Sequence, residues 1–297
     1  MYNGRPTNKT LLISLILIMS ISLVSGCLEK TEKKQLSTLR VGILPDQVGT
    51  ASTYQYKLIL ERISNNLNIP YEIITPKNYN DLTILFKDKK IDLAYFGAVT
   101  FIKAHNESNA LPLVMRDIDM NFTTHFIVHG DSSATTIEDL KGKVLSFGSK
   151  LSTSGHLMPR HFMLKDDIQP ENYFSKVLYS GSHDKTISSI KNKEADLGAV
   201  NSQVVEKMLK NGKISNKDIR ILYTSPPYPD YVWAIQSDIS DETMITIRET
   251  FTDLMFQKEG DKEILQNAGA KFFYASSIDD FSELISIINK LHILENK

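Results

Sequence analysis

Leu151-Ser-Thr-Ser-Gly-His-Leu-Met-Pro159 stands between a strand-like run, Lys143-Val-Leu-Ser-Phe-Gly148, and a helical pattern over about 155–164. Three consecutive hydroxyl residues and a glycine at the mouth of a helix have a physical use. The first-turn amides of a helix lack intrahelical partners, and the dipole places partial positive charge there. Hydroxyls on the same side add donors, so such an end holds a tetrahedral oxyanion without a lysine or arginine. Helix capping is the plainer reading, since serine and threonine cap many helices. A second loop, Ser180-Gly-Ser-His-Asp184, also joins a strand (176–179) to a helix (184 to about 193). Two such turns in one α/β unit open at the carboxyl ends of the strands, where α/β sheets bind ligands.

Outward from these loops, strands and helices alternate, which predicts parallel α/β layers. Strands are expected over 39–44, 71–75, 91–96 and 111–115, with helices over 54–68, 79–89 and around 101–105. The pattern restarts as a strand near 121–128, followed by a short helix over 137–140 and the two loops above. A strand over 196–200, a helix over 202–210 and a strand over 220–223 lead to the turn Ser225-Pro-Pro-Tyr-Pro-Asp230. Beyond it the chain reads as helical, over 241–257, 262–268 and 279–293, with Trp233 as a core or cleft wall. A length of 297 residues suggests two domains, at roughly 100–200 residues each. The middle block, 125–225, reads as one lobe, and 38–124 with 226–297 as the other.

The first 37 residues lie outside both lobes. Arg5 and Lys9 precede an apolar run from Leu11 to Val24, shorter than the about 17–25 residues that span a bilayer. Small residues follow, as in a signal peptide over 1–26. Val24-Ser25-Gly26-Cys27 resembles a lipoprotein processing site, with Cys27 the lipidated residue and 27–37 a solvated tether. Cys27 is the single cysteine, which excludes an internal disulfide framework and a cysteine-rich zinc site. Formal net charge is −1, and losing Arg5 and Lys9 makes it about −3. No basic patch points to nucleic acid. A chain without cationic excess must hold an anion by amides and hydroxyls.

Ser152-Thr-Ser-Gly-His-Leu-Met-Pro159, Gly181-Ser-His-Asp184 and Asp92-Leu-Ala-Tyr-Phe-Gly97, on an exported chain with two α/β lobes, together resemble the phosphate/phosphite/phosphonate-binding proteins of ABC importers. The resemblance covers nearly everything after residue 38. It implies an α/β, type II periplasmic-binding-protein fold with two lobes on a two-segment hinge. It further implies a monomeric, extracytoplasmic solute-binding lipoprotein that delivers a small phosphorus oxyanion to ABC permease and ATPase subunits. By the same resemblance, Ser152, Thr153 and Ser154 grip the phosphorus oxygens, His183 contacts them and Tyr79 is a cleft tyrosine. Relatives that bind an aminoalkyl phosphonate carry a glutamate where this chain has Gln203 and a tyrosine where it has Thr123. Asp230 lies near the family's other amine-binding aspartate, one residue out of register. A small ligand ending in a methyl, hydroxyl or hydrogen is therefore expected over 2-aminoethylphosphonate.

From the residues alone, Tyr79 and Tyr95 can present phenols to a cleft while burying their rings. His183 can donate to an oxyanion from either nitrogen, and a bound anion would favour its charged form. Asp184 reads as a helix N-cap, and His156, two residues into its helix, is expected to face solvent. Ser154 with His183 invites comparison with a hydrolase triad. The Gly-x-Ser-x-Gly elbow is missing, and adjacent hydroxyls suit multidentate binding better than one activated nucleophile. The expectation is thus a non-enzyme without cofactor or metal. An extracytoplasmic sensor of the same fold is the alternative, and a chain ending at Lys297 without a signalling domain favours delivery.

Overall fold

The structure, a computed structural model, describes residues 1, 33–47 and 54–294. Met1–Lys33 and Lys34–Lys297 are separate units, and the sheets and helices described here lie in the second. Cys27 and the expected signal peptide lie outside the described residues.

Two mixed sheets organise this second unit. The first has six strands in the order β11-β4-β10-β3-β1-β2. These are β1 (Leu39–Ile43), β2 (Tyr71–Ile74), β3 (Leu93–Phe96), β4 (Leu111–Arg116), β10 (Val232–Ile235) and β11 (Phe273–Ala275). The second has the order β7-β6-β8-β5-β9. It comprises β5 (Thr124–His129), β6 (Val144–Phe147), β7 (Lys176–Tyr179), β8 (Leu197–Asn201) and β9 (Ile219–Thr224). The chain crosses from first sheet to second between β4 and β5, and returns between β9 and β10. The two crossing segments bond to each other, Phe122 and Tyr228 exchanging amide–carbonyl bonds of 2.9 and 3.0 Å.

The sheets are not the purely parallel layers expected. β1, β2 and β3 are parallel, as are β6, β7 and β8. β5 enters antiparallel to β8, and β10 enters antiparallel to β3 and β4. Each arrives by a crossing segment rather than a helical crossover, so nothing turns it parallel to its neighbours. β10 and β11 also correct the expectation of an all-helical C-terminal part. Val232–Ile235 is buried at every position, and so short an apolar run has no period to betray a strand.

Helices cover the sheets: α1 (Lys57–Leu67), α2 (Tyr79–Lys87), α3 (Ala98–Ser108), α4 (Met158–Lys165), α5 (His183–Lys191), α6 (Ser202–Lys210), α7 (Asp241–Thr252), α8 (Asp261–Ala268) and α9 (Ser282–Lys290). Local signals start several of them. Asn78 caps α2 by accepting from Asp81 N at 2.9 Å, and Asn201 caps α6 by accepting from Val204 N at 3.2 Å. The expected tether is partly docked. Lys34 forms a parallel bridge with Ile239, and its ammonium lies 2.9 Å from Asp92, which also holds Arg40. Asp92 is buried, and its cationic partners hold its carboxyl below the usual range against the cost of burial.

Candidate functional site

Five strand ends converge on one buried place. Asp46 follows β1, Gly97 follows β3, the hydroxyl loop follows β6, Ser182–His183 follows β7, and Asn201 ends β8. The hydroxyl residues do not begin an ordinary helix. Thr153–Leu157 form a π-type turn, with Leu157 N donating to Ser152 O at 3.0 Å, and α4 begins only at Met158. Ser152 caps the turn by accepting from Gly155 N at 2.9 Å. Gly148 N donates to Gly155 O at 2.8 Å, stapling the turn to the end of β6. A Cβ on Gly155 would stand 2.9 Å from Ser152 Oγ and 3.1 Å from the His183 ring, so glycine permits the close approach.

Ser152, Thr153 and Ser154 are all buried. Thr153 Oγ1 accepts from Val99 N at 3.2 Å, and Asp230 Oδ1 accepts from Ala98 N at 3.1 Å. The hydroxyl loop and Asp230 thus meet the N-terminus of α3. Gly97 keeps that approach open, since a Cβ there would lie 3.3 Å from Asp230 Oδ1 and 3.6 Å from Thr153 Oγ1. Thr124 Oγ1 donates to Ser154 O at 2.8 Å and pairs with Tyr228 OH at 2.6 Å, tying the loop to both crossing segments.

Two buried polar atoms at this place, Ser154 Oγ and Asp230 Oδ2, have no well-aligned hydrogen bond among the described residues. Burial raises the pKa values of Asp230 and Tyr228, although the Ser154 hydroxyl lies close enough to both to oppose that rise. Orphaned buried groups are rare and costly, about 1–3 kcal/mol each, and point to a missing polar partner. Burial raises the Asp230 carboxyl to about 7, although Thr153, Ser154 and the Ala98 amide pull it back. Asp230 therefore sits at the hydroxyl trio, where an amine-binding role was expected. Ala98 N anchors it there, two residues before β10 begins.

His183 is the first residue of α5 and fully buried. Asn201 N donates to its Nδ1 at 3.3 Å. A backbone amide can only donate, so Nδ1 keeps its lone pair and the neutral ring carries its proton on Nε2. Nε2 faces Tyr79 OH at 3.5 Å. Burial lowers the His183 pKa, with Asp46 and Asp184 opposing. Without ligand the ring is thus a neutral donor through Nε2. Ser182, rather than Asp184, occupies the N-cap of α5, and Asp184 accepts from Ser182 Oγ at 2.7 Å. Its carboxylate suits the first turn by charge.

Sequence reading missed Asp46, Asn201 and Tyr231. Asp46 O accepts from His183 N at 3.0 Å, Tyr231 OH donates to Asp46 Oδ2 at 2.9 Å, and Asn201 Nδ2 donates to Tyr231 OH at 2.9 Å. Asp46 and Asn201 lie at strand ends, the signal that singled out the trio. These residues separate the deep place from an open vestibule of about 640 Å³, lined by Asp46, Tyr95, Arg116, Asn201, Gln203 and Tyr231 among others. Tyr95 stacks on Tyr231 with ring centroids 5.2 Å apart. It therefore belongs to the vestibule wall and not to the trio. Gln203 is exposed on α6, its amide 3.5 Å from Glu206, and the fold does not bring it to the hydroxyls.

His156 is buried rather than solvent-facing. Its Nδ1 lies 2.8 Å from Lys150 O, and Arg160 Nε donates to its Nε2 at 3.0 Å. Among the described residues no cluster of three or more histidine, cysteine, aspartate or glutamate side chains could hold a metal ion, and no helix is long and apolar enough to cross a membrane.

A family model described as the periplasmic substrate-binding protein of phosphonate ABC transporters matches residues 41–281. The chain is 28% identical over 287 residues to the probable ABC transporter phosphite binding protein PhnD1 of Prochlorococcus marinus (strain MIT 9301), covering 93% of this chain and 97% of that one. It is 22% identical over 277 residues to the phosphonates-binding periplasmic protein of Escherichia coli (strain K12), covering 91% and 81%. The solved structure of PhnD1 in complex with methylphosphonate matches with a TM-score of 0.81 at 29% identity, over 86% of this chain and 99% of the other. A binding protein of an ABC phosphonate transporter from Pseudomonas aeruginosa, 18% identical, shares the fold with a TM-score of 0.78 over 88% and 87%. The two mixed sheets, each receiving a strand from a crossing segment, are the type II periplasmic-binding-protein fold.

Proposed function

The chain belongs to the phosphonate periplasmic substrate-binding family of ABC transporters, and we propose that it captures a small phosphorus oxyanion at the hydroxyl trio and delivers it to a permease. Members of this family are substrate-binding transport proteins and not enzymes. The observation that carries the reading is the pair of buried, unpartnered atoms, Ser154 Oγ and Asp230 Oδ2, beside the first amides of α3. A tetrahedral anion there receives donors from Ser152, Thr153, Ser154, Tyr79 and His183 Nε2. Charge-assisted bonds contribute roughly 1.5–3 kcal/mol each. Four or five of them, less the costs of closure and desolvation, correspond to dissociation constants at or below about micromolar.

Asp230 sets the protonation state of the ligand. An ionised carboxylate repels a dianion, whereas one proton shared between them makes a short charge-assisted bond. The Asp230 carboxyl, near 7, and a phosphorus oxyacid, whose second ionisation falls near neutrality, supply that proton together. Phosphite, phosphate and methylphosphonate can each bring the proton themselves, whereas sulfate, which has none at neutral pH, depends on Asp230 alone to carry it. Gln203, on the vestibule wall, offers no countercharge to an ammonium group, which suits a ligand with a small uncharged end.

The sheet units act as lobes, 38–124 with 226–297 against 125–225, and the crossing segments as the hinge. Ligand bonds on both sides favour the closed arrangement. The protein works as a monomer outside the cell membrane, anchored through lipidated Cys27. Calorimetry on ligand-stripped protein with phosphite, methylphosphonate, phosphate, 2-aminoethylphosphonate and sulfate tests the reading. Micromolar or tighter binding of at least one of the first three is expected. No heat with any phosphorus compound, or sulfate binding most tightly, overturns it.

A further inference from the structure

We infer that His156 is a positioning residue that braces the hydroxyl loop through a single fixed tautomer. The inference rests on the oxyanion reading of the trio but concerns a residue outside it. Arg160 and Lys150 determine the tautomer, and Tyr179 OH lies 3.4 Å from the same Nε2 as Arg160. Arg160 Nε, which can only donate, points into Nε2 at 3.0 Å, so Nε2 bears a lone pair. Lys150 O, which can only accept, lies 2.8 Å from Nδ1, so Nδ1 bears the proton. The neutral Nδ1–H ring therefore spans the loop, from the carbonyl two residues before Ser152 to the guanidinium six residues after Ser154.

Arg160 is itself held. Its terminal nitrogens donate to Glu171 at 2.9 and 2.5 Å and to Tyr179 OH at 3.0 Å, a bidentate grip on the turn Pro170–Tyr173 and the end of β7. The imidazole packs edge-on to Phe147 and Tyr179, with centroids 5.1 Å away in each case. Burial, and to a lesser extent the adjacent guanidinium, lowers its pKa to about 4, so the ring stays neutral at pH 7 and its two partners choose the tautomer. The π-type turn needs such a brace because it lacks the regular ladder of an α-helix. Its hydroxyls must be fixed before ligand arrives, since placing them during binding costs affinity.

Asparagine at 156 places an amide N–H where Nδ1–H stands, and glutamine reaches only the position of Nε2. Methylphosphonate or phosphite titrations of His156→Ala, His156→Asn and His156→Gln separate a donor from a space-filler. His156→Ala and His156→Gln should bind at least about tenfold more weakly than wild type, and His156→Asn within about threefold. Nitrogen-15 NMR of the wild type should show His156 protonated at Nδ1 and His183 at Nε2. Wild-type affinity in His156→Ala, glutamine matching asparagine, an Nε2–H ring at 156, or loss of the fold in both His156→Ala and His156→Gln each overturns the inference. Failure of the wild type to bind either compound instead counts against the oxyanion reading, and the NMR tautomer still decides the brace.

Discussion

The deep hydroxyl site and the vestibule share a wall but are built differently. At the deep end the backbone is stapled at Gly148, Gly155 and Lys150, and what remains unpaired is Ser154 Oγ and Asp230 Oδ2. In the vestibule, Asp46, Tyr231 and Asn201 pair with one another, Tyr95 OH is buried without a partner among the described residues, and Gln203 is an exposed part of the wall. Affinity should therefore reside in the deep site and discrimination between substituents in the vestibule.

The sharpest way to break this contrast is to remove two deep donors. Thr153→Ala with Ser154→Ala should cost at least about 3 kcal/mol of binding, the sum of two charge-assisted bonds. Ligand-free stability should change less, because Ser152 caps the turn and the variant loses only the buried bond that Thr153 accepts from Val99 N. Calorimetry and thermal melts on one preparation check both numbers. A double variant that unfolds yet binds normally when folded would assign the trio to capping alone.

Asp230→Asn comes next. Replacing a charge-assisted bond with a neutral one should weaken phosphite binding at pH 6 by about 2 kcal/mol. In the wild type, affinity should fall as pH rises above about 7, when the shared proton is lost, and the asparagine variant should lack that fall. Ligand-free stability carries a sign of its own. Burial raises the folded pKa of Asp230 to about 7, so its contribution is complete below the ordinary carboxylate range and is lost as pH rises through 7. Melting temperatures at pH 4.5 and pH 8 should draw closer in the variant. An unchanged pH dependence in both measurements would place the shared proton elsewhere.

These two regions were also unequally legible in the sequence. The trio and His183 stand on short strand-loop-helix stretches, so their chemistry is written locally. Asp46 and Asn201 stand at strand ends that a local reading could have marked, but their pairing through Tyr231 depends on the ends of β1 and β8 meeting a crossing segment, which no local pattern encodes. His156 misled for a different reason. Helical spacing assumes 3.6 residues per turn, and the π-type turn at Thr153–Leu157 shifts the phase and carries the ring inward. β10 was lost because four consecutive buried residues carry no alternation.

The vestibule should contribute a smaller, selective effect. An ammonium group left unpaired in a closed cleft costs several kcal/mol, and Gln203 offers only a carbonyl oxygen. Phosphite, phosphate or methylphosphonate should be preferred over 2-aminoethylphosphonate by at least about tenfold, or 1.4 kcal/mol. Gln203→Glu should narrow that gap without altering methylphosphonate affinity, as competition calorimetry would reveal. Tighter native binding of the aminoethyl compound would point to a carboxylate of the vestibule wall, Asp46 or Glu206, as its partner.

The proposed lipid anchor should contribute nothing to either region. Cys27 stands seven residues before Lys34, a reach of at most about 25 Å for an extended chain. From Lys34 onward the chain is fixed by the bridge to Ile239 and the ion pair with Asp92. Asp92 precedes β3, whereas the site lies past that strand's other end at Gly97, so the tether joins the first sheet away from the ligand. Cys27→Ser should release the protein into the aqueous phase, seen by fractionation after salt washing, with ligand affinity unchanged within error. A serine variant that stays with the membrane would remove the lipid anchor from this account. A released variant with altered affinity would show that the tether reaches the cleft despite its docking at the opposite end of β3.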